Sequence, residues 1–196
     1  ARALAQLLGE KGDVRAAEPL CRRALAGLEK AHGPHHRDVL GCVFELAGLY
    51  HTAGDFASAG PLYRRALAGY EKALGASDPV VLRCVNDLAA LCNDTGDRAG
   101  AESLLRRALA GYEKATGPDD PNALMAARNL GGLLAETGRP VEAIPLLERA
   151  YSARRKQPTI GGIGGLLADA YARTGRPADA ARVAGEVVAE GRAQLK

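Results

Sequence analysis

The chain has 196 residues, 47% of them apolar and 25% charged, with a net charge of +3 from 26 Lys and Arg against 23 Asp and Glu. That is the composition of an ordinary folded chain, and no apolar run approaches the roughly 18 residues of a membrane-spanning helix. Arginine pairs interleave with Glu and Asp instead of forming the basic stripe of a nucleic-acid binder, so neither nucleic acid nor membrane is an expected partner.

The dominant signal is a repeat. Gly12, Gly54, Gly96 and Gly138 are evenly spaced (54 − 12 = 96 − 54 = 138 − 96 = 42), and Ala17, Ala59, Ala101 and Ala143 keep the same interval. A fixed period of this size means stacked supersecondary units, each too small to bury its apolar face alone. The expected units are approximately 1–38, 39–80, 81–122, 123–159 and 160–196, forming one array over 1–196.

In the first unit the markers are Leu4, Ala5, Leu8 and Gly12, then Ala17, Cys21, Ala24 and Gly33. The second unit is clearest. Apolar or small residues from Val43 recur at Leu46, Ala47 and Tyr50, which is helical spacing. Asp38 is the expected N-cap, and Gly54 closes the helix where a left-handed residue is needed. Asp55 then caps a second helix whose inward face is Phe56, Ala59, Tyr63, Ala66 and Leu67, running on to Gly75. Asp78-Pro79 ends the unit and opens the next, because proline fits a first helical turn.

The third unit repeats this with Leu88, Ala89, Cys92, Gly96, Ala101, Leu105, Ala108, Gly117 and Asp120-Pro121. The fourth gives Leu130, Gly131, Leu134, Gly138, Ala143, Leu147 and Ala150. The fifth arrives five residues early, at Leu167, Ala168, Tyr171, Gly175 and Ala180 (175 − 138 = 37). Its last helix, near 178–194, is expected to cap the array. Pro19, Pro61 and Pro145 share one phase in the second helices, where an interior proline removes a hydrogen bond and bends the helix.

The predicted fold is therefore all-α, a right-handed α-solenoid of about five helix–turn–helix units. Small residues beside Leu, an aromatic three later, then Gly, then Ala-x-x-x-Tyr/Leu-x-x-Ala resemble the tetratricopeptide repeat (TPR) signature. The longer period, with GDxxxAxxLxRRALAxYEKAxGxxDP, resembles the kinesin light chain class of that family. The resemblance implies a non-enzymatic protein–protein interaction scaffold that binds a peptide or protein in its concave groove. Similar bacterial arrays form sensor or regulatory arms of larger NTPases or effectors, acting by autoinhibition or oligomerisation, and this is the alternative expectation. The family often carries Asn-Asn before the Leu-Ala pair. This chain has Phe44-Glu45, Asn86-Asp87 and Arg128-Asn129 there, which supports backbone clamping by asparagine only in part.

Helical spacing from the Leu-Ala pair turns one set of first-helix residues toward the groove. The set is Gly41, Phe44, Gly48, His51 and Thr52 in the second unit, Arg83, Asn86, Ala90, Asn93 and Asp94 in the third, and Met125, Arg128, Gly132, Ala135 and Glu136 in the fourth. Gly48, Ala90 and Gly132 are small and are expected to leave an open furrow. Asn86 and Asn93 suit the backbone of an extended peptide. Arg83 and Arg128 suit a carboxylate, so the expected ligand has an acidic residue and an apolar side chain near Phe44 or Met125. Exposed terminal repeats also allow self-association.

Other features read blandly. Cys21, Cys42, Cys84 and Cys92 each occupy an apolar repeat slot with no Cys-x-x-Cys, as buried free thiols do. His32, His35 and His36 share a solvated junction loop without a metal ligand set. Gly161, Gly162, Gly164 and Gly165 lack the Gly-Lys-Ser/Thr ending of a phosphate loop. They predict a frayed or mobile helix, or a close backbone approach to a partner. The Arg22-Arg23, Arg64-Arg65 and Arg106-Arg107 pairs read as solvated outer faces. No nucleophile, base and orienting group occur together, so no enzyme, metal or cofactor is expected. Arginine outnumbers lysine (20 + 6 = 26), which together with abundant Ala and Gly suggests a bacterial source. The absence of an apolar leader at ARALAQ leads to the expectation of a cytoplasmic protein.

Overall fold

The computed structural model describes residues 14–153 and 162–194, without the side chains of 15 and 190–194. Among these residues every regular element is a helix: α1 (Val14–His32), α2 (Arg37–Thr52), α3 (Phe56–Leu74), α4 (Pro79–Asp94), α5 (Arg98–Thr116), α6 (Pro121–Glu136), α7 (Pro140–Ala153), α8 (Ile163–Arg173) and α9 (Pro177–Gln194). The chain divides into two compact units, Ala1–Leu104 and Leu105–Lys196. Leu4, Ala5, Leu8, Gly12 and Gly161 lie outside the described residues.

Helix ends follow from local chemistry. Asp55, Asp78 and Asp120 are N-caps whose side chains accept from the amides of Ser58 (3.1 Å), Val80 (2.8 Å) and Asn122 (2.9 Å). Pro79 and Pro121 fill the first helical position, where no amide hydrogen is needed. The cap of α2 is His36, not Asp38: His36 Nδ1 accepts from the Asp38 amide at 3.3 Å, and the helix starts at Arg37. His36 is the repeat equivalent of Asp78 (36 + 42 = 78), so phase overrode residue type. Between the paired helices Gly54, Gly96, Gly138 and Gly175 all take positive φ, +75 to +85°, which side chains rarely adopt.

In the first unit α2 packs against α1 and α3, and α3 against α4. Val39, Leu40, Val43 and Leu46 of α2, and Tyr63, Ala66 and Leu67 of α3, are buried. Burial of each large apolar side chain contributes about 1.5–3 kcal/mol. Ala47, Ala59, Ala66 and Ala89 are 0% exposed, and their short side chains let the helices approach closely. In the second unit α6 packs on α7, α7 on α8, and α8 on α9. Gly131 of α6 lies under Leu147 of α7: a Cβ there would stand 2.8 Å from Leu147 Cγ.

Second helices of consecutive repeats share an ion pair. Arg65 Nη2 meets Glu29 Oε1, and Arg149 Nη1 meets Glu113 Oε1, each at 2.5 Å and each 36 residues apart. Pro19, Pro61 and Pro145 lie inside α1, α3 and α7.

Two expectations are corrected. The glycine run does not fray α8 from Ile163 onward. Gly162 is its left-handed N-cap, and Gly164 is buried, where a Cβ would overlap Val187 Cγ2 of α9. The close approach is to the chain's own last helix, where an approach to a partner is expected from the sequence. Cys21, Cys42 and Cys84 are buried free thiols, but Cys92 is only half-buried.

Candidate functional site

The sequence-derived residues fall in both units, and each set is described by itself. In the first unit α2 and α4 present Phe44, Gly48, His51, Arg83, Asn86, Ala90 and Asn93. Four of these are tied together or to their surroundings. The Arg83 guanidinium lies 4.9 Å from the Phe44 ring centroid, an attraction to the electron-rich face. Phe44 meets Tyr63 of α3 edge-on at 5.6 Å. His51 Nε2 lies 2.7 Å from Asp94 Oδ2, linking α2 to α4, and its ring meets Phe56 and Tyr63 edge-on at 5.7 and 6.0 Å. Asn86 Nδ2 donates to Asp87 Oδ1 at 3.4 Å. Asn93 Oδ1 is buried without a hydrogen-bond partner. Ala90 is exposed and Gly48 half-buried.

Two residues here were not among the sequence-derived site residues. Tyr63, assigned to the inward face, is 3% exposed, yet its hydroxyl stands 3.6 Å from where a Gly48 Cβ would be. Asp87 is half-buried beside Asn86. Burial, above all, pushes its carboxyl above the usual range, opposed by the Asn86 hydrogen bond and the Arg83 and His51 charges. Burial also pushes the Tyr63 phenol far up, helped by the Asp87 charge. The available signal was Asp87 itself: an acidic residue four after Arg83, next to a buried Leu-Ala pair.

In the second unit Met125 is 38% exposed on α6. Arg128 is half-buried; its Nη1 donates to Asn129 Oδ1 at 3.1 Å, and its Nη2 lies 3.4 Å from a Cβ placed on Gly162. Gly132 is buried, with Leu166 Cδ1 3.5 Å from its would-be Cβ. The small positions are therefore not evenly open: Leu166 of α8 closes over Gly132. Among the described residues no group of three or more His, Cys, Asp or Glu could hold a metal, and no helix is long and apolar enough to cross a membrane.

Tandem helix hairpins with glycine between the partners and alanine at the crossings define a helical-repeat protein. The tetratricopeptide repeat family matches residues 1–72, 39–114 and 81–156, and a second tetratricopeptide repeat match covers 164–186. The chain belongs to this family, as an all-α solenoid of TPR units, and its repeats are of the kinesin light chain-like class. No curated protein matches it. Among solved structures it is similar to the nearly identical TPR-like repeats of a Podosopora anserina protein described as a kinesin light chain. Identity there is 25% over 100% of this chain and 95% of that one, with a TM-score of 0.83. BtubC (BKLC) from P. vanneervenii shares the fold at 23% identity, over 98% of this chain and 78% of that one, TM-score 0.85. MamA shares it at 17% identity, over 97% and 96%, TM-score 0.70.

Proposed function

We propose that the chain is a non-enzymatic interaction module that captures a linear peptide or protein segment on the first-helix face of its repeats. Stacked repeats expose such a face over an extended surface. The observation that carries the reading is the Phe44–Arg83 pair, a guanidinium over an apolar ring, with the amides of Asn86 and Asn93 further along the same helix α4. An amide accepts and donates, as a peptide backbone requires. In the first unit Arg83 serves an acidic residue of a ligand and Phe44 an apolar one; in the second unit Arg128 and Met125 offer the same two kinds of group. Similarity to repeats described as kinesin light chain supports the same class of role.

The test is a random-peptide display selection on the chain, run in parallel on an Asn86→Ala/Arg128→Ala double variant. A consensus recovered by the parent and lost by the variant is the expected result. A well-folded parent that selects no consensus would sink the reading. Replacing the acidic residue of a selected peptide by its amide tests the charge preference separately.

A further inference from the structure

The face between α2 and α4 holds more acceptors than its own residues use. Asp87 makes no ion pair among the described residues; its one hydrogen bond is the 3.4 Å contact from Asn86 Nδ2. The charges of Arg83 and His51 act on it only from a distance. His51 is held by Asp94, and Arg83 is spread over Phe44. The Tyr63 hydroxyl makes no hydrogen bond among the described residues, although Tyr63 is 3% exposed. Asn93 Oδ1 is buried and unpartnered. Native proteins rarely leave a buried oxygen of that kind unpaired, because it costs its full desolvation.

What these groups lack is a donor. The carboxylate only accepts, the Asn93 oxygen only accepts, and a phenol oxygen accepts as well as donates. Gly48 has no side chain on this face, and the Tyr63 hydroxyl stands 3.6 Å from where its Cβ would be. An ammonium on an unbranched stem brings three donors and no acceptor, and its stem lies comfortably along apolar surface such as Phe44. A guanidinium is broader and planar and would meet the Arg83 guanidinium already stacked there.

We propose that this face takes a primary ammonium, a lysine side chain of the captured segment, with Asp87 and Tyr63 as its acceptors. The proposal rests on the peptide-receptor reading above and adds the residue that the first unit selects. A half-buried carboxylate whose counter-ion arrives with the ligand couples binding to charge neutralisation. It also explains why an acidic side chain stands where the second unit carries neutral Asn129.

The experiment is a random-peptide selection on the full chain and on its Asp87→Asn and Tyr63→Phe variants. The parent should fix a lysine at one position of its consensus. The Asp87→Asn variant should keep the rest of the consensus and lose the lysine. A synthetic peptide with norleucine in place of that lysine should bind the parent about thirtyfold more weakly, and Asp87→Asn within about twofold of the lysine form. A parent consensus without lysine, with arginine instead, or with lysine enriched equally on Asp87→Asn overturns this inference and leaves the receptor reading standing. No consensus from a folded parent overturns both. Thermal melts confirm that the variants are folded. Should Asp87→Asn not fold, the norleucine comparison on the parent and the Tyr63→Phe selection decide alone.

Discussion

Gly131 and Leu147 offer a compact test of how the second unit is packed. Gly131 occupies the slot that Ala47 and Ala89 fill in other repeats (131 − 42 = 89; 89 − 42 = 47). A Cβ there would stand 2.8 and 2.9 Å from Leu147 Cγ and Cδ2, and Leu147 is 0% exposed and has nowhere to go. Gly131→Ala gains about 1 kcal/mol of helix propensity but overpacks the core by about 2 kcal/mol, for a net loss of about 1 kcal/mol. Leu147→Ala removes the obstructing atoms and costs about 3 kcal/mol. In the double variant the new methyl at position 131 enters the space vacated. It keeps its propensity gain and adds about 0.8 kcal/mol for a buried carbon, so the pair costs about 1.2 kcal/mol where the singles sum to about 4. Urea denaturation of the four proteins, with equal slopes, measures that coupling of about 2.8 kcal/mol. Costs that add to within about 0.5 kcal/mol would refute the contact as the reason for glycine.

Three further outcomes are expected. Asp87 has a folded pKa above its unfolded one, so the folded state holds the proton more tightly. Its cost is full near neutral pH and is relieved as pH falls through the folded value. Asp87→Asn therefore melts above the parent at pH 7, and the gap closes by about pH 4; a gap that widens toward acid contradicts the assignment. Gly164→Ala runs into the Val187 side chain, whereas Gly165→Ala meets nothing within 4 Å. The first should lower the melting temperature and the second raise stability by up to about 1 kcal/mol. Of the thiols, Cys84 is buried and pushed up to about 12 by that burial, while Cys92 is half-exposed and raised less. Native protein at pH 8 should take up iodoacetamide slowly at Cys92, and at the other three only on unfolding, read by mass spectrometry.

The repeat, its hairpins and nearly all helix ends were legible because glycine, alanine and Asp-Pro carry backbone requirements that recur in phase. The cap of α2 was misplaced because Asp38 is a better capping residue than His36 in isolation. The phase of the repeat, set by packing, placed the helix start two residues earlier. Gly164 was legible as unusual but not in its purpose, since its neighbour Val187 is 23 residues away (187 − 164 = 23). The candidate face was legible as a set of positions, because helical spacing fixes which residues share a side. Its electrostatics were not. The burial of Asp87, the guanidinium over Phe44 and the closure of Leu166 over Gly132 all depend on neighbouring helices, which spacing within one helix does not reveal.

In the Glu29–Arg65 and Glu113–Arg149 pairs a repeat's glutamate answers to an arginine of the repeat that follows. The fifth repeat breaks the rule: Glu186 stands in the arginine slot (186 − 175 = 149 − 138 = 11), and Arg155 stands in the glutamate slot (155 − 138 = 113 − 96 = 17). Transplanting that last hairpin behind Glu113 would set carboxylate against carboxylate. Repeats of near-identical build are thus not freely interchangeable, and gene rearrangements that shuffle them would carry an electrostatic penalty at one junction and none at another. Sequence order in this array is written partly in the sign of two charges.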